Sequence, residues 1–242
     1  MKIIFFSDIH ANLPALRAFF EDIDNTGYDA IYCLGDLVGY NIWPNEVVNE
    51  IRKRNIPTIM GNHDEALLLP IAKEVEPTNR GLTRTLVNDR NRAYLINLPR
   101  HLSLSFVTKN KPFNLLLVHG SPKAINDYLT FDYPKDEVLN MMQSHKADVL
   151  LCGHTHKPFH RVIKDGESYK HVVNIGSVGK PKDSDPRICY AILELDQSSS
   201  PSNSETLEVS FKRVVYDIEK AATAVEQSDF PNAFAEALRI GE

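Results

Sequence analysis

The sequence predicts an α/β fold in which short buried strands run out into polar loops. Three observations point to it. Apolar runs such as Ile3-Ile4-Phe5-Phe6, Ile31-Tyr32-Cys33-Leu34 and Leu115-Leu116-Leu117-Val118 have the length of buried strands rather than helices. Between the early runs, apolar residues recur at helical spacing: Leu13, Leu16, Phe19, Phe20 and Ile23, then Val47, Val48 and Ile51. Strand, helix and strand in succession is the pattern of parallel pairing through right-handed crossovers. Finally, the strands stop at Asp, Asn or His, the position at which open α/β sheets bind ligands.

In chain order, Lys2 to Ser7 reads as a strand ending at Asp8-Ile9-His10, and Asn12 as the cap of a helix with Pro14 in its first turn. Ala30 to Leu34 reaches Gly35-Asp36, a carboxylate set in a tight loop. A helix over Pro44 to Arg54 precedes a short strand, Pro57 to Met60, which delivers Gly61-Asn62-His63-Asp64. Residues 65–99 break this rhythm and read as an inserted helical cap, helical over Ala66 to Lys73 and Leu82 to Leu95. The cap carries Arg80, Arg84, Arg90 and Arg92, a solvated basic face or a set of substrate contacts.

A hairpin, Leu102 to Val107 and Phe113 to Val118, follows around Lys109-Asn110-Lys111-Pro112 and ends at His119. A helix over Lys135 to His145 leads to the strand Asp148 to Cys152 and then Gly153-His154-Thr155-His156. Asp165-Gly166 joins a second hairpin. Ile188 to Leu195 and Leu207 to Val215 form a last strand pair, and Ile218 to Leu238 reads as one outer amphipathic helix.

Composition sets the bounds. The chain has 242 residues, 43% hydrophobic and 24% charged, with a net charge of -5, which suits one domain over 1–242. The acidic balance argues against a stable nucleic-acid or anionic-membrane partner. No apolar run approaches the roughly 18–20 residues of a membrane span, and Ile3–Phe6 is too short for a signal sequence. The three cysteines, Cys33, Cys152 and Cys189, lie in apolar runs and read as buried thiols of a cytoplasmic protein.

The chemistry lies in the strand-end residues Asp8, His10, Asp36, Asn62, His63, His119, His154 and His156. Oxygen and imidazole donors together suit Mn, Fe, Zn, Co or Ni, with Mn first, rather than Ca or Mg. Seven ligands exceed one tetrahedral ion but suit two ions sharing a bridging carboxylate. Such ions, about 3.5–4 Å apart, clamp a phosphoryl displacement and make hydroxide of a bridging water near neutral pH. Singly, each piece has a structural reading: a capping Asp, a turn, a core histidine. The conjunction of five polar strand ends in one chain favours the site.

The order Asp8-x-His10, Gly35-Asp36, Gly61-Asn62-His63-Asp64, His119 and Gly153-His154-x-His156 resembles the calcineurin-like metallophosphoesterase superfamily over residues 1 to about 195. His119-Gly120-Ser121-Pro122 and Asn174-Ile175-Gly176-Ser177-Val178-Gly179 are similar to its single-domain bacterial and archaeal phosphodiesterase-like branch. The resemblance implies a four-layer αββα sandwich with the dinuclear site at the strand ends. It implies that Asp8, His10 and His156 hold one metal, that Asn62, His119 and His154 hold the other, and that Asp36 bridges them. His63 resembles the family histidine that hydrogen-bonds the phosphate and protonates the leaving oxygen, a role an imidazole pKa near 6.5 suits.

Protein Ser/Thr phosphatases follow the bridging Asp with a further Asp-Arg pair, and the corresponding positions here are Gly39 and Tyr40. That departure weakens the protein-phosphatase alternative and leaves the partner of His63 open, with Asp64 adjacent in sequence. Asn12, Tyr128 and Arg187 are candidate substrate contacts. The leading expectation is a phosphodiester or phosphomonoester hydrolase of small nucleotide-like substrates, using the metal-bridging hydroxide as nucleophile. Dinucleoside polyphosphate hydrolysis, a protein-binding module on the same scaffold, as in the retromer subunit, and a repair-type nuclease are the alternatives. A homodimer is compatible with the branch.

Overall fold

The computed structural model describes residues 1–69, 78–109 and 112–242. Strand β1 (Lys2–Phe6) pairs in parallel with β2 (Ala30–Cys33) and antiparallel with β8 (Ile188–Glu194), which pairs with β9 (Glu208–Val214). The first sheet therefore has the order β2-β1-β8-β9. The second has the order β3-β4-β5-β7-β6, from β3 (His101–Val107), β4 (Pro112–Val118), β5 (Val149–Cys152), β6 (Phe159–Asp165) and β7 (Ser168–Asn174). Its central pairs β4–β5 and β5–β7 are parallel and its flanking pairs antiparallel.

Alternation along the strands builds four layers. Ile3 and Phe5 join Leu115, Leu117, Val149 and Leu151 in the core between the sheets. Their neighbours Ile4 and Phe6 point the other way, onto α1 (Leu13–Thr26) and α2 (Pro44–Lys53) through Phe19, Phe20, Val47 and Val48. On the far side Leu116, Val118 and Leu150 meet Val138, Met141 and Met142 of α6 (Lys135–Ser144). A strand buried on both faces reads as a continuous apolar run, which is what β1, β4 and β5 are. The expected α/β sandwich flanked by helices is the observed fold.

Several expectations need correcting. Pro57 to Met60 makes only an isolated bridge, Thr58 to Cys33, because Pro57 lacks a donor and the chain turns at Gly61. The segment read as one helix over Leu82 to Leu95 is two, α4 (Asn79–Leu86) and α5 (Asp89–Leu95), because Asn88 caps the second through the Asn91 amide. Ala66–Leu68 is a single 3₁₀ turn that ends at the extended Leu69, and residues 70–73 of the expected helix lie outside the described residues. So do Asn110 and Lys111 of the hairpin turn. Arg84 and Arg92 form neither a solvated face nor a substrate set: they donate to the carbonyls of Ala66 and Leu69, and of Leu67. The last segment is also two helices, α7 (Ile218–Glu226) and α8 (Asn232–Ile240), separated by residues 227–231 with Pro231 capping the second. Among the described residues no helix is long and apolar enough to cross a membrane, and all three cysteines are free and buried.

Candidate metal centre

The site lies where the carboxyl ends of both sheets meet. The loop after β1 supplies Asp8 and His10, and the loop after β2 supplies Asp36. Asn62 and His63 open the short helix α3 (Asn62–Glu65) beside it. From the second sheet, β4 delivers His119 and β5 delivers His154 and His156. Asp8, His10, Asp36, His119, His154 and His156 are all buried.

Five of these residues have left-handed backbone: Asp8 (φ 55°), His10 (φ 50°), Asp36 (φ 55°), His154 (φ 64°) and His156 (φ 61°). Such a conformation costs about 1–3 kcal/mol per non-glycine residue and persists only where the surroundings enforce it. Its concentration in these loops marks a site built for something other than stability.

Backbone carbonyls set the direction of the imidazoles. The Nδ1–H of His10 donates to Val38 O (3.0 Å), that of His119 to Leu34 O (2.8 Å), and that of His156 to Lys180 O. A carbonyl only accepts, so each ring carries its proton on Nδ1 and turns a bare Nε2 inward. There the Nε2 atoms meet other acceptors. His156 Nε2 lies 3.2 Å from Asp8 Oδ1, His119 Nε2 lies 3.3 Å from Asp36 Oδ2, and the Nε2 atoms of His10 and His156 are 3.2 Å apart. Asp8 Oδ1, Asp36 Oδ2 and His154 Nε2 are buried without a hydrogen bond. Lone pairs facing lone pairs in a buried space need a positive charge among them.

Two donor groups fit that charge as cations: Asp8, His10 and His156, and Asp36, His119 and His154. The Asn62 amide oxygen joins the second, 3.1 Å from His119 Nε2. A third group, His10, Asp36 and His63, ties both halves together through Asp36.

Burial alone would depress His119, but the charge of Asp36 and its contact raise the ring to about 10. Burial would raise both carboxyls; His156 and His119 hold Asp8 below the usual range, and His119, His63 and His10 do the same for Asp36. His10 is pushed well down by burial, which the nearby Asp36 and Asp8 charges oppose without overcoming.

His63 stands over the centre, half-buried. Its backbone N–H donates to Asp36 Oδ1 (2.8 Å), and its ring meets His10 edge-on at 5.0 Å. The ring packs on Gly39 (φ 96°), where an added Cβ would fall 2.8 Å from His63 Nδ1. Asp64 does not hold this ring. Its carboxylate accepts the amides of Asp36 (2.9 Å), Leu37 (3.0 Å) and Gly61 (3.0 Å), so it stitches the two loops together. Burial and the nearby Asp36 charge push its pKa up to about 7, against those amide donors.

The three candidate substrate contacts separate. Tyr128 is exposed, and its ring lies 4.5 Å from that of His154, at the mouth of the centre. Asn12 is a correction: its oxygen caps α1 at Ala15, its nitrogen donates to Gly179 O (2.9 Å) and Tyr216 OH (3.2 Å), and nothing remains for a ligand. Arg187 is another, because its guanidinium is committed to Asp185 at 2.7 Å.

The residue with no ligand signature in the sequence is Tyr40. Its ring lies 4.8 Å from His10 and 5.0 Å from His63, with Phe234 of α8 behind it at 5.0 Å and Lys180 Nζ 5.3 Å from its centroid. Only its place four residues after Asp36 could have flagged it.

Residues 1–198 match the family described as the calcineurin-like phosphoesterase superfamily domain. The chain belongs to that superfamily. It is a metal-dependent phosphoesterase, with Asp and His groups positioned to bind metal. An uncharacterized protein of Methanocaldococcus jannaschii is 32% identical over 97% of this chain and 96% of its own. A metallophosphoesterase from Sphaerobacter thermophilus superposes with a TM-score of 0.80 at 29% identity, covering 100% of both chains. A UDP-2,3-diacylglucosamine hydrolase of Psychromonas ingrahamii is 26% identical over 69% of this chain and 86% of its own. A symmetrical bis(5'-nucleosyl)-tetraphosphatase of Actinobacillus pleuropneumoniae is 25% identical over 78% and 69% respectively.

Proposed function

We propose that this phosphoesterase acts through two divalent transition-metal ions, manganese first among them, on phosphodiesters of small nucleotide-like substrates. The observation that carries the reading is the position of Asp36 between the two donor groups, its Oδ2 lying 3.7 Å from His10 Nε2 of one and 3.3 Å from His119 Nε2 of the other. Asp8, His10 and His156 would hold one ion, Asn62, His119 and His154 the other, and Asp36 both. Bound cations would lower the pKa of water and neutralise charge on the phosphoryl group. The rest falls to the chain. His63 would bring a ring N–H to the leaving oxygen, held in place by Gly39 beneath it and by its own amide on Asp36. Tyr40 backs the same ring and excludes water from one side.

The names of the two hydrolase relatives both specify nucleotide-derived substrates, which supports the substrate class. The second of them favours a dinucleoside polyphosphate as an alternative. Tyr40, where protein phosphatases carry arginine, disfavours a phosphoprotein.

The test joins elemental analysis of purified protein to hydrolysis of bis-p-nitrophenyl phosphate with Mn²⁺, alongside dinucleoside polyphosphates. Turnover should fall by about 10³-fold or more in Asp36→Asn and about 10²–10⁴-fold in His63→Ala. Undiminished turnover in both variants would sink the reading.

A further inference from the structure

The loop between β4 and α6 holds two large rings out to solvent beside the metal centre. Tyr128 is 61% exposed and Phe131 is 60% exposed, three residues apart. Single exposed apolar residues are common on protein surfaces, but two on one fixed loop at a site call for a reason. The loop is fixed from within. Ser121 Oγ donates to Asp127 Oδ2 (2.5 Å), and Tyr133 OH donates to the same oxygen (3.1 Å). The amides of Ser121 (3.0 Å) and Asp127 (3.2 Å) both donate to Ala124 O, and Arg161 of β6 donates to Tyr133 O (2.6 Å). Leu129, between the two rings, is buried with Leu116, Val138 and Met142. The backbone that sends Leu129 inward therefore leaves Tyr128 and Phe131 outside.

Each ring rests on the segment that follows β5. Tyr128 lies against His154, with centroids 4.5 Å apart, and Phe131 meets Phe159 edge-on at 5.9 Å. His154 belongs to the donor group with Asp36 and His119. The two rings thus make a ledge that begins at a metal donor and runs outward to the start of β6.

We infer that Tyr128 and Phe131 form a stacking ledge for the nucleobase of the substrate, with the phosphate on the neighbouring centre. This deepens the phosphoester reading and rests on it for the place of the phosphate. Aromatic side chains supply broad contact area at a low cost in conformational entropy, and a loop already held in place lowers that cost further. Every base has a flat π-face, so the ledge favours a nucleoside over an alkyl group while tolerating any base. The polar edges of the base are left unread.

The test is calorimetry on Mn²⁺-loaded protein with AMP and ribose 5-phosphate as probes, each as its uncleavable phosphonate. The wild type should bind the nucleotide about tenfold or more tighter than the sugar phosphate, the effect of one base stacked on an aromatic ring. Tyr128→Ala should lose most of that margin through the nucleotide alone, and Tyr128→Phe should keep it to within a few-fold. Phe131→Ser, whose ring contact is Phe159 rather than a metal donor, should reduce the margin by a smaller factor at unchanged metal content. A wild type that binds both probes equally, or neither, overturns the ledge. So does an undiminished margin in the double variant Tyr128→Ala, Phe131→Ser. A protein that shows the margin yet cleaves no phosphoester keeps the ledge and loses the hydrolase reading; one that cleaves bis-p-nitrophenyl phosphate without the margin does the reverse. Should Tyr128→Ala lose metal through its contact with His154, Tyr128→Leu takes its place.

Discussion

The two sheets contribute unlike halves to one centre. Both carboxylates, Asp8 and Asp36, follow strands of the first sheet, together with His10, and the segment leading to the Asn62-His63 turn is bridged to its β2 edge. The second sheet adds imidazoles only: His119, His154 and His156. Acceptors of one sheet therefore face rings of the other, as in Asp8 with His156 and Asp36 with His119. Even the backbone crosses, since His154 N donates to Asp8 Oδ2 (3.1 Å). The centre is a polar rivet at the end of an apolar sandwich, and its charge balance needs both sheets at once. Any ion that enters it ties the sheets together as well as serving chemistry.

Removing the ions is the strongest way to loosen that rivet. Chelation should lower stability by about 4 kcal/mol for each ion removed, relative to protein held at a thousandfold excess of metal over Kd. Thermal melts with and without a chelator measure this, and Mn²⁺ should reverse it. An unchanged melt would mean that the sheets are held by the apolar core alone.

A narrower break is Gly39→Ala, confined to the first sheet's loops. The methyl group would meet the His63 ring at a backbone φ that alanine adopts poorly. Misplacing that ring by about an ångström should lower kcat by about 10²-fold, with metal content unchanged. Steady-state kinetics beside elemental analysis decide it; simultaneous loss of metal would place Gly39 in the ligand scaffold instead.

The smallest effect concerns the second sheet away from the centre. A hydrogen bond joins His160 Nε2 and His171 Nδ1 (3.0 Å), and His171 is 1% exposed. Burial first, then His160, pushes His171 down to about 4. A histidine with a depressed folded pKa binds its proton more readily when unfolded. Its neutral form therefore contributes full stability above about pH 6.5, lost progressively as pH falls towards 4. Urea titrations should show that His171 contributes about 1–2 kcal/mol less stability at pH 5 than at pH 7, a contribution that His171→Leu removes. Persistence of the acid limb in His171→Leu would move its origin to the metal centre.

Strand ends were legible because each ligand follows an apolar run directly, so one pattern marked both the core and the residues that leave it. The left-handed loops were less so: Asp8 and His156 look like ordinary loop residues until their backbone is known. Contacts between distant segments were least legible. Nothing local tells that Asp64 serves three amides rather than His63, or that Asn12 is used up on Gly179 and Tyr216. Helical periodicity carried the expected outer helix straight across Pro231, although a proline inside such a pattern signals a stop.

The stack from Phe234 through Tyr40 to His10 and His63 gives α8 an influence out of proportion to its distance along the chain. Phe234 lies beyond the 198 residues that the family pattern covers. Proteins trimmed to that common portion would keep every candidate metal donor and still lose the wall behind His63. Damage to the tail would then register in kinetics before it registered in metal binding. Variation in this last helix among relatives is a route by which one set of ligands can be tuned without altering any of them.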